Sequence, residues 1–433
     1  MSAAAAARPA GPSLGGGLAL PAPGSMRLAS EHFAASMLYL LAGSAGLIWV
    51  APDLAAGLYV MPRVAGITHL FTLGWLTTTI FGALYQLLPV ALGAPVASVR
   101  AGHASFWTFA PGVGLFAAGI ASSSTVLHHA GIALITIGIL LVLGNVGASL
   151  ASAARRDTTW AGIAIALGFL TSTLVLGILL LHNLHTGFLG DARIRFLAAH
   201  LHLALAGWVL VMIVGVSFRL LPMFLLAHGA DTRWAGRALA LLAIGVPALA
   251  IGLLARIPVS TWIGLLLMEA GLACFLRQCW AFYRVRIRKR IDIGMRFARA
   301  GLLFLGASAV MGPFLLALGA RHARLATMYV ATGVVGGLTL FVIGFFYKIV
   351  PLLAWTVHYR EQMGRGPVPT VAETFSARVA TIQLRLMLVG VTAMSGGIAA
   401  GWGHVTRCGA VLFAAGTLLL ASQIGRVAFG RRT

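Results

Sequence analysis

One eight-residue pattern occurs three times at nearly constant distance, as GALYQLLP over 82–89, GVSFRLLP over 215–222 and GFFYKIVP over 344–351. Each copy reads Gly, two residues, Tyr or Phe, a polar residue, two aliphatics and Pro, and the closing prolines, Pro89, Pro222 and Pro351, are almost evenly spaced along the chain. A chain written this way is expected to fold as three copies of one unit. Aligned on the prolines, His69 and His202 share one position, the same distance upstream of Pro89 and Pro222, and each is followed six residues later by a tryptophan, Trp75 and Trp208.

The unit is a membrane one. Hydrophobic residues make up 60% of the 433 positions and charged residues 9%, and apolar runs of about 20 residues recur, the length that crosses roughly 30 Å of hydrocarbon. The net charge of +22 does not point to nucleic acid, because the arginines lie in short stretches between apolar runs, where basic residues set topology and meet anionic lipid. The three cysteines, Cys274, Cys279 and Cys408, have no metal-ligand spacing, and the Cys-x-x-Cys-His signature of covalently attached haem is absent.

The spacing of apolar runs and breaks predicts an all-α, polytopic membrane protein with helices near 34–57, 66–90, 105–121, 126–152, 160–186, 196–226, 236–255, 259–282, 297–319, 326–354, 378–400 and 406–427. The repeated motif ends helices 2, 6 and 10, which makes the unit four helices, over 34–152, 160–282 and 297–427. Residues 1–33 read as a disordered cytoplasmic tail and 428–433 as a basic C-terminal one. Of the 31 Lys and Arg, 20 fall in the tails and in the loops after even-numbered helices, with a basic run from Arg284 to Arg290. The positive-inside rule then places both termini in the cytoplasm, for a chain expected in the inner membrane of a bacterium.

The histidines distribute the other way. Nine lie toward the outer side (69, 128, 129, 182, 185, 200, 202, 322 and 404) and four toward the inner side. Imidazole crosses into hydrocarbon at lower cost than Lys or Asp and is the commonest metal ligand. His200 and His202, two apart on helix 6, are separated by roughly 200° of rotation and point into different neighbouring spaces. His182 and His185 share a face near the end of helix 5, a short loop from His200. His128, His129, His322 and His404 sit at helix ends, where a wet polar tip needs no ligand. Trp75 and Trp208 fit either inter-helix packing or the wall of a cofactor site, and Gly74 and Gly207 before them allow close helix approach or room for a flat ligand. Gln86, Arg219 and Lys348 read as snorkelling residues, and the repeat prolines as terminating or kinking their helices. Glu269 is a carboxylate in mid-span, either a proton-relay group or a partner for a neighbour such as Arg277.

Twelve helices in three sets of four, with THLFTLGW at 68–75 and AAHLHLALAGW at 198–208, resemble the catalytic subunit of the haem-copper oxidase superfamily, which includes cytochrome c oxidases and nitric oxide reductases. The resemblance implies haems between neighbouring repeats, with ligands on helices 2, 6, 7 and 10. His69 matches the helix 2 ligand of the low-spin haem, and His202 or His200 the helix 6 ligand beside the active haem. The chain departs from that pattern on helix 10, which offers Tyr329 and Thr332 but no histidine, and on helix 7, which lacks the histidine pair. The NnrS family of haem- and copper-containing membrane proteins is similar in its histidine-bearing helices and its reduced ligand set.

These features lead to a b-type haem, alone or with copper or another metal, held between helices 2 and 6. His69 and His202 are the expected axial ligands, His200 faces a second site, and Trp75 and Trp208 stand beside the cofactor. Such a protein would be an oxidoreductase of electron transfer or of nitric oxide or oxygen chemistry, fed by quinol or a separate electron-donor subunit. A secondary transporter would normally show two sets of six helices instead. A copper- or zinc-binding protein without catalysis would use His182, His185, His200 and His202.

Overall fold

The structure is a computed structural model, and it describes residues 23–227, 229–287, 289–319, 322–362 and 367–428. Twelve helices are long and apolar enough to cross a membrane: α1 Gly24–Ala56, α2 Pro62–Leu92, α3 Val99–Ala121, α4 Thr125–Ala151, α5 Thr158–Thr186, α6 Gly190–Leu225, α7 Arg233–Ala255, α8 Pro258–Arg284, α9 Ile293–Leu318, α10 Ala323–Tyr359, α11 Ala377–Ala400 and α12 Gly403–Ala428. No strand occurs among the described residues.

The repeat is visible as three-dimensional symmetry. Within the apolar windows of α2, α6 and α10, 78%, 61% and 78% of residues are buried, while no other span exceeds 56%, so these three form the centre. In each unit the first helix, α1, α5 or α9, packs on its central helix, and the last two form an antiparallel hairpin outside it: α3 with α4, α7 with α8, α11 with α12. Contact between α12 and α1 closes the ring.

Each central helix widens at the same place. Leu70–Thr77, Leu203–Leu210 and Thr332–Leu338 are π-helical, and each segment opens at an identical distance before its repeat proline. Backbone N–H groups at their ends reach five residues back, Thr78 to Leu73, Val211 to Ala206 and Thr339 to Val334. The three widened segments touch one another at the axis. In hydrocarbon every carbonyl needs a donor, and threonine hydroxyls contribute: Thr77 Oγ1 donates to Thr72 O at 2.8 Å and Thr78 Oγ1 to Leu73 O at 3.0 Å.

The outer hairpins carry a second repeat that the proline motif does not reveal. Glycines seven apart line both arms: Gly112, Gly119, Gly131 and Gly138, then Gly245, Gly252, Gly264 and Gly271, then Gly390, Gly397, Gly409 and Gly416. They allow backbone-to-backbone approach, as at Gly264, where an added Cβ would lie 2.1 Å from Leu249 N. A buried amide then pins each hairpin at its opposite end. Asn145 Oδ1 accepts from Ser98 N at 2.8 Å, Gln278 Nε2 donates to Asp231 O at 2.7 Å, and Gln423 Oε1 accepts from Ser376 N at 2.7 Å. The step from the second hairpin to the third is longer than that from the first to the second, because the α10–α11 connection is extended and includes the short helix Val371–Thr374.

Several details differ from expectation. The first helix opens at Pro23, so residues 23–33, read as tail, are helical, and Leu28, Ala29 and Phe33 are buried against the bundle. The expected disorder of 1–22 and the basic tail beyond Ala428 lie outside the described residues, as do His228 and Arg288. Helices α2 and α6 end three residues past Pro89 and Pro222, but α10 runs on to Tyr359, eight past Pro351. Lys348 does not snorkel to water, since its Nζ bonds Asp292 Oδ2 at 2.6 Å at the start of α9.

Gly264→Ala should destabilise the protein by about 1–3 kcal/mol, the usual cost of overpacking where backbone cannot yield. Gly168→Ala, where an added Cβ meets nothing within 4 Å, should be neutral or slightly stabilising. Equal losses in thermal unfolding of the two variants in detergent would contradict the close-approach reading.

Candidate cofactor-binding site

The histidines of interest sit just where the central helices widen. His69 and His202 are the last α-helical residues before the π segments of α2 and α6. Their ring environments match. Each Nδ1 lies 2.8 Å from the carbonyl four residues back, Ala65 O for His69 and Ala198 O for His202. A carbonyl only accepts, so Nδ1 carries the proton and donates, which leaves the Nε2 lone pair facing away from the helix. His200 reaches the same state across a helix boundary, with its Nδ1 3.1 Å from Thr173 O on α5. Gly177 makes room for it, since a Cβ there would come within 3.2 Å of His200 Cε1. Backbone carbonyls behind an imidazole fix tautomer and ring orientation, the usual support for a metal ligand.

The rings on α6 diverge, as their spacing requires. His69 stands edge-on to Phe116 of α3, with centroids 5.1 Å apart, and is close enough to His200 for electrostatic interaction. These two imidazoles therefore belong to the space between the first and second repeats. His202 faces the second and third repeats instead. Its Nε2 accepts from the Tyr329 hydroxyl of α10 at 3.3 Å. Tyr329 occupies the repeat position of His200, as far before Pro351 as His200 is before Pro222, a correspondence not drawn from the sequence. The two α6 histidines thus meet different neighbours, His200 the α5 backbone and His202 the α10 phenol.

A cavity of about 70 Å³ adjoins His202 and Tyr329, lined also by Met268, Glu269, Ser308 and Gly333. Ser308 Oγ donates to Tyr329 O at 3.0 Å and steadies that wall. Glu269 faces this cavity, while the Arg277 guanidinium lies over the Trp280 ring at 4.6 Å and near Trp234, so the two do not form an ion pair. At about 30 Å³ per water the cavity takes two waters or a diatomic molecule. That is smaller than the roughly 300–1,000 Å³ of a typical cofactor pocket. A larger cavity, about 560 Å³, opens between α1, α10 and α11 beside His322, Arg324 and Met328, and it touches none of these three histidines.

Trp75 and Trp208 are sealed in the core, at 0% and 2% exposure. Trp208 Nε1 donates to Thr77 Oγ1 of α2 at 3.0 Å, and Trp75 meets Phe346 of α10 with centroids 5.3 Å apart. Gly74 and Gly207 provide close approach rather than room for a flat ligand, since a Cβ on them would meet Tyr39 at 2.6 Å and Phe169 at 2.7 Å. His182 lies beside Phe188, and His185 joins His128 and His129, so the expected grouping of His182 and His185 with His200 is not formed. No signal in the sequence ties His185 to the start of α4.

For a haem, the donor set of the first inter-repeat space fits: two imidazoles from facing repeats, each with a bare Nε2 and a carbonyl-bound Nδ1–H. No protein-family model and no curated protein sequence matches the chain. Among solved structures it is similar to a heme-copper terminal oxidase whose dimer was determined by cryo-EM, at 10% sequence identity, with a TM-score of 0.64 over 96% of this chain and 85% of that one. The chain therefore has the haem-copper oxidase fold.

Tyr329→Phe keeps the ring and removes the donor to His202, so it should cost about 0.5–1.5 kcal/mol, the net worth of one hydrogen bond, in denaturation in detergent. An unchanged midpoint would show that the phenol contributes nothing through His202.

Proposed function

We propose that this chain is a membrane redox protein that binds b-type haem between its first and second repeats, where His69 and His200 would hold it. The observation that carries this reading is the approach of two carbonyl-braced imidazoles from α2 and α6 within a haem-copper oxidase fold. Bound there, a haem supplies one-electron chemistry, and two imidazole ligands favour electron transfer over ligand binding at the iron. The protein's own part is to hold the rings. Backbone carbonyls lock both tautomers, and the surrounding spans exclude water.

The second inter-repeat space has a different role. His202, Tyr329 and Glu269 line a void of diatomic or water size, and Glu269 there is the carboxylate suited to passing a proton toward Tyr329 and His202. Nitric oxide or oxygen fits the same volume. Helix α7 supplies no histidine, and the one on α10, His358, lies in the last turn, at the opposite end of the helix from Tyr329, so the full ligand set of a standard haem-copper centre is not assembled. Electrons would arrive from quinol or a separate donor subunit. With the termini in the cytoplasm, the histidine-bearing ends of α2 and α6 face outward, in keeping with basic loops after the even-numbered helices.

The test is the absorption spectrum and pyridine haemochrome of the detergent-purified protein. A Soret band lost in His69→Ala and in His200→Ala but kept in His202→Ala is the expected result. Colourless wild-type protein from haem-sufficient cells would overturn the proposal, and equal loss in all three variants would overturn the division of roles.

A further inference from the structure

Away from the central helices, three imidazoles converge where α4 begins and α5 ends. The ligand nitrogens of His128, His129 and His185 all lie within 4.8 Å of one another. Their ring centroids form a nearly equilateral triangle, with separations of 4.8, 4.9 and 4.8 Å. His128 Nε2 and His185 Nε2 are 2.8 Å apart. His128 is buried, while His129 and His185 are exposed, so the cluster has a fixed floor and an open mouth.

The backbone prepares these rings as it does the central ones. His129 Nδ1 is 2.8 Å from Thr125 O and must donate to it, so its Nε2 presents a lone pair. His128 turns its Nε2 toward His185 and makes no hydrogen bond through Nδ1, so the ring can carry its proton on Nδ1 and offer Nε2 to a cation. Gly119 is what lets α3 approach: an added Cβ would lie 2.3 Å from His128 N. The C-cap glycine Gly187, at φ 64°, ends α5 just past His185 and keeps that ring on the last turn.

We propose that His128, His129 and His185 form a metal site for one divalent transition cation, Cu(II) or Zn(II), with a fourth position open to solvent. Three neutral imidazoles without thiolate or carboxylate are the donor set these two ions share. A hydrogen bond between His128 and His185 alone accounts for two of the rings and leaves His129 out. A cation at the centre uses all three. Metal–nitrogen bonds of about 2.0–2.1 Å place ligand nitrogens roughly 3–3.5 Å apart in tetrahedral geometry, within the spread found here. The site is independent of the haem reading, since none of its residues touches His69, His200 or His202 in any hydrogen bond or ring contact among the described residues.

The experiment uses full-length protein purified in detergent and stripped with chelator. Cu(II) is titrated and followed by electron paramagnetic resonance. Zn(II) is titrated separately by calorimetry. One equivalent bound with nitrogen hyperfine structure for Cu(II), or one equivalent of Zn(II), is expected for wild type. That equivalent should disappear in the His129→Gln/His185→Gln double variant, whose exposed positions leave folding intact, and should persist in His69→Ala. The Soret band and haem content of the double variant should equal those of wild type, which separates failure of this site from failure of haem binding. Absence of a bound equivalent for both ions in wild type, or full binding retained in the double variant, would overturn the proposal.

Discussion

Inside a bilayer an unpaired backbone N–H or C=O costs several kcal/mol, so a helix can depart from α geometry there only where protein supplies new partners. The three π segments of α2, α6 and α10 depend on that condition. They lie against one another at the axis, where no lipid reaches, and Thr77 and Thr78 return hydroxyl donors to carbonyls five residues back. The widened turns bring the imidazoles to the spaces between repeats and hold Trp75 and Trp208 in the sealed core below.

Helix number and order are legible in the sequence because the physical signal is coarse. A run of about twenty apolar residues between basic or glycine-rich breaks can do little else in hydrocarbon. The repeat prolines mark the four-helix unit, yet they say nothing of how neighbouring units meet. The glycines seven apart on the hairpins and the amides Asn145, Gln278 and Gln423 carry that information in a shared register, which the change of spacing after α10 hides. The start of α1 escapes a reading by composition because residues 23–33 are polar enough to pass for tail, while Leu28 and Phe33 bury one face of the helix.

The site is legible only in part. Helical rotation alone separates His200 from His202, but it cannot tell which ring meets His69, because that depends on how α2 docks against α6. Tyr329 is visible as a residue and not as a counterpart, since register has to be read from Pro351 rather than from residue type. His128 and His129 read as wet helix ends, and His129 is one; their meeting with His185 rests on the pairing of α4 with α5, which no local pattern encodes. Tight packing around Trp75 and Trp208 likewise emerges only when α1, α5 and α10 are in place.

Two spaces between repeats thus differ in chemistry: one offers paired imidazole donors, the other an imidazole, a phenol and a carboxyl around a void of about 70 Å³. The most direct measurement of that division is a cryo-EM map of the protein purified with its native complement of cofactors. Planar density bridging His69 and His200, with only water-sized density beside His202, is the predicted result. A porphyrin seated against His202, or unbroken side-chain packing between His69 and His200 in cofactor-replete protein, would contradict it.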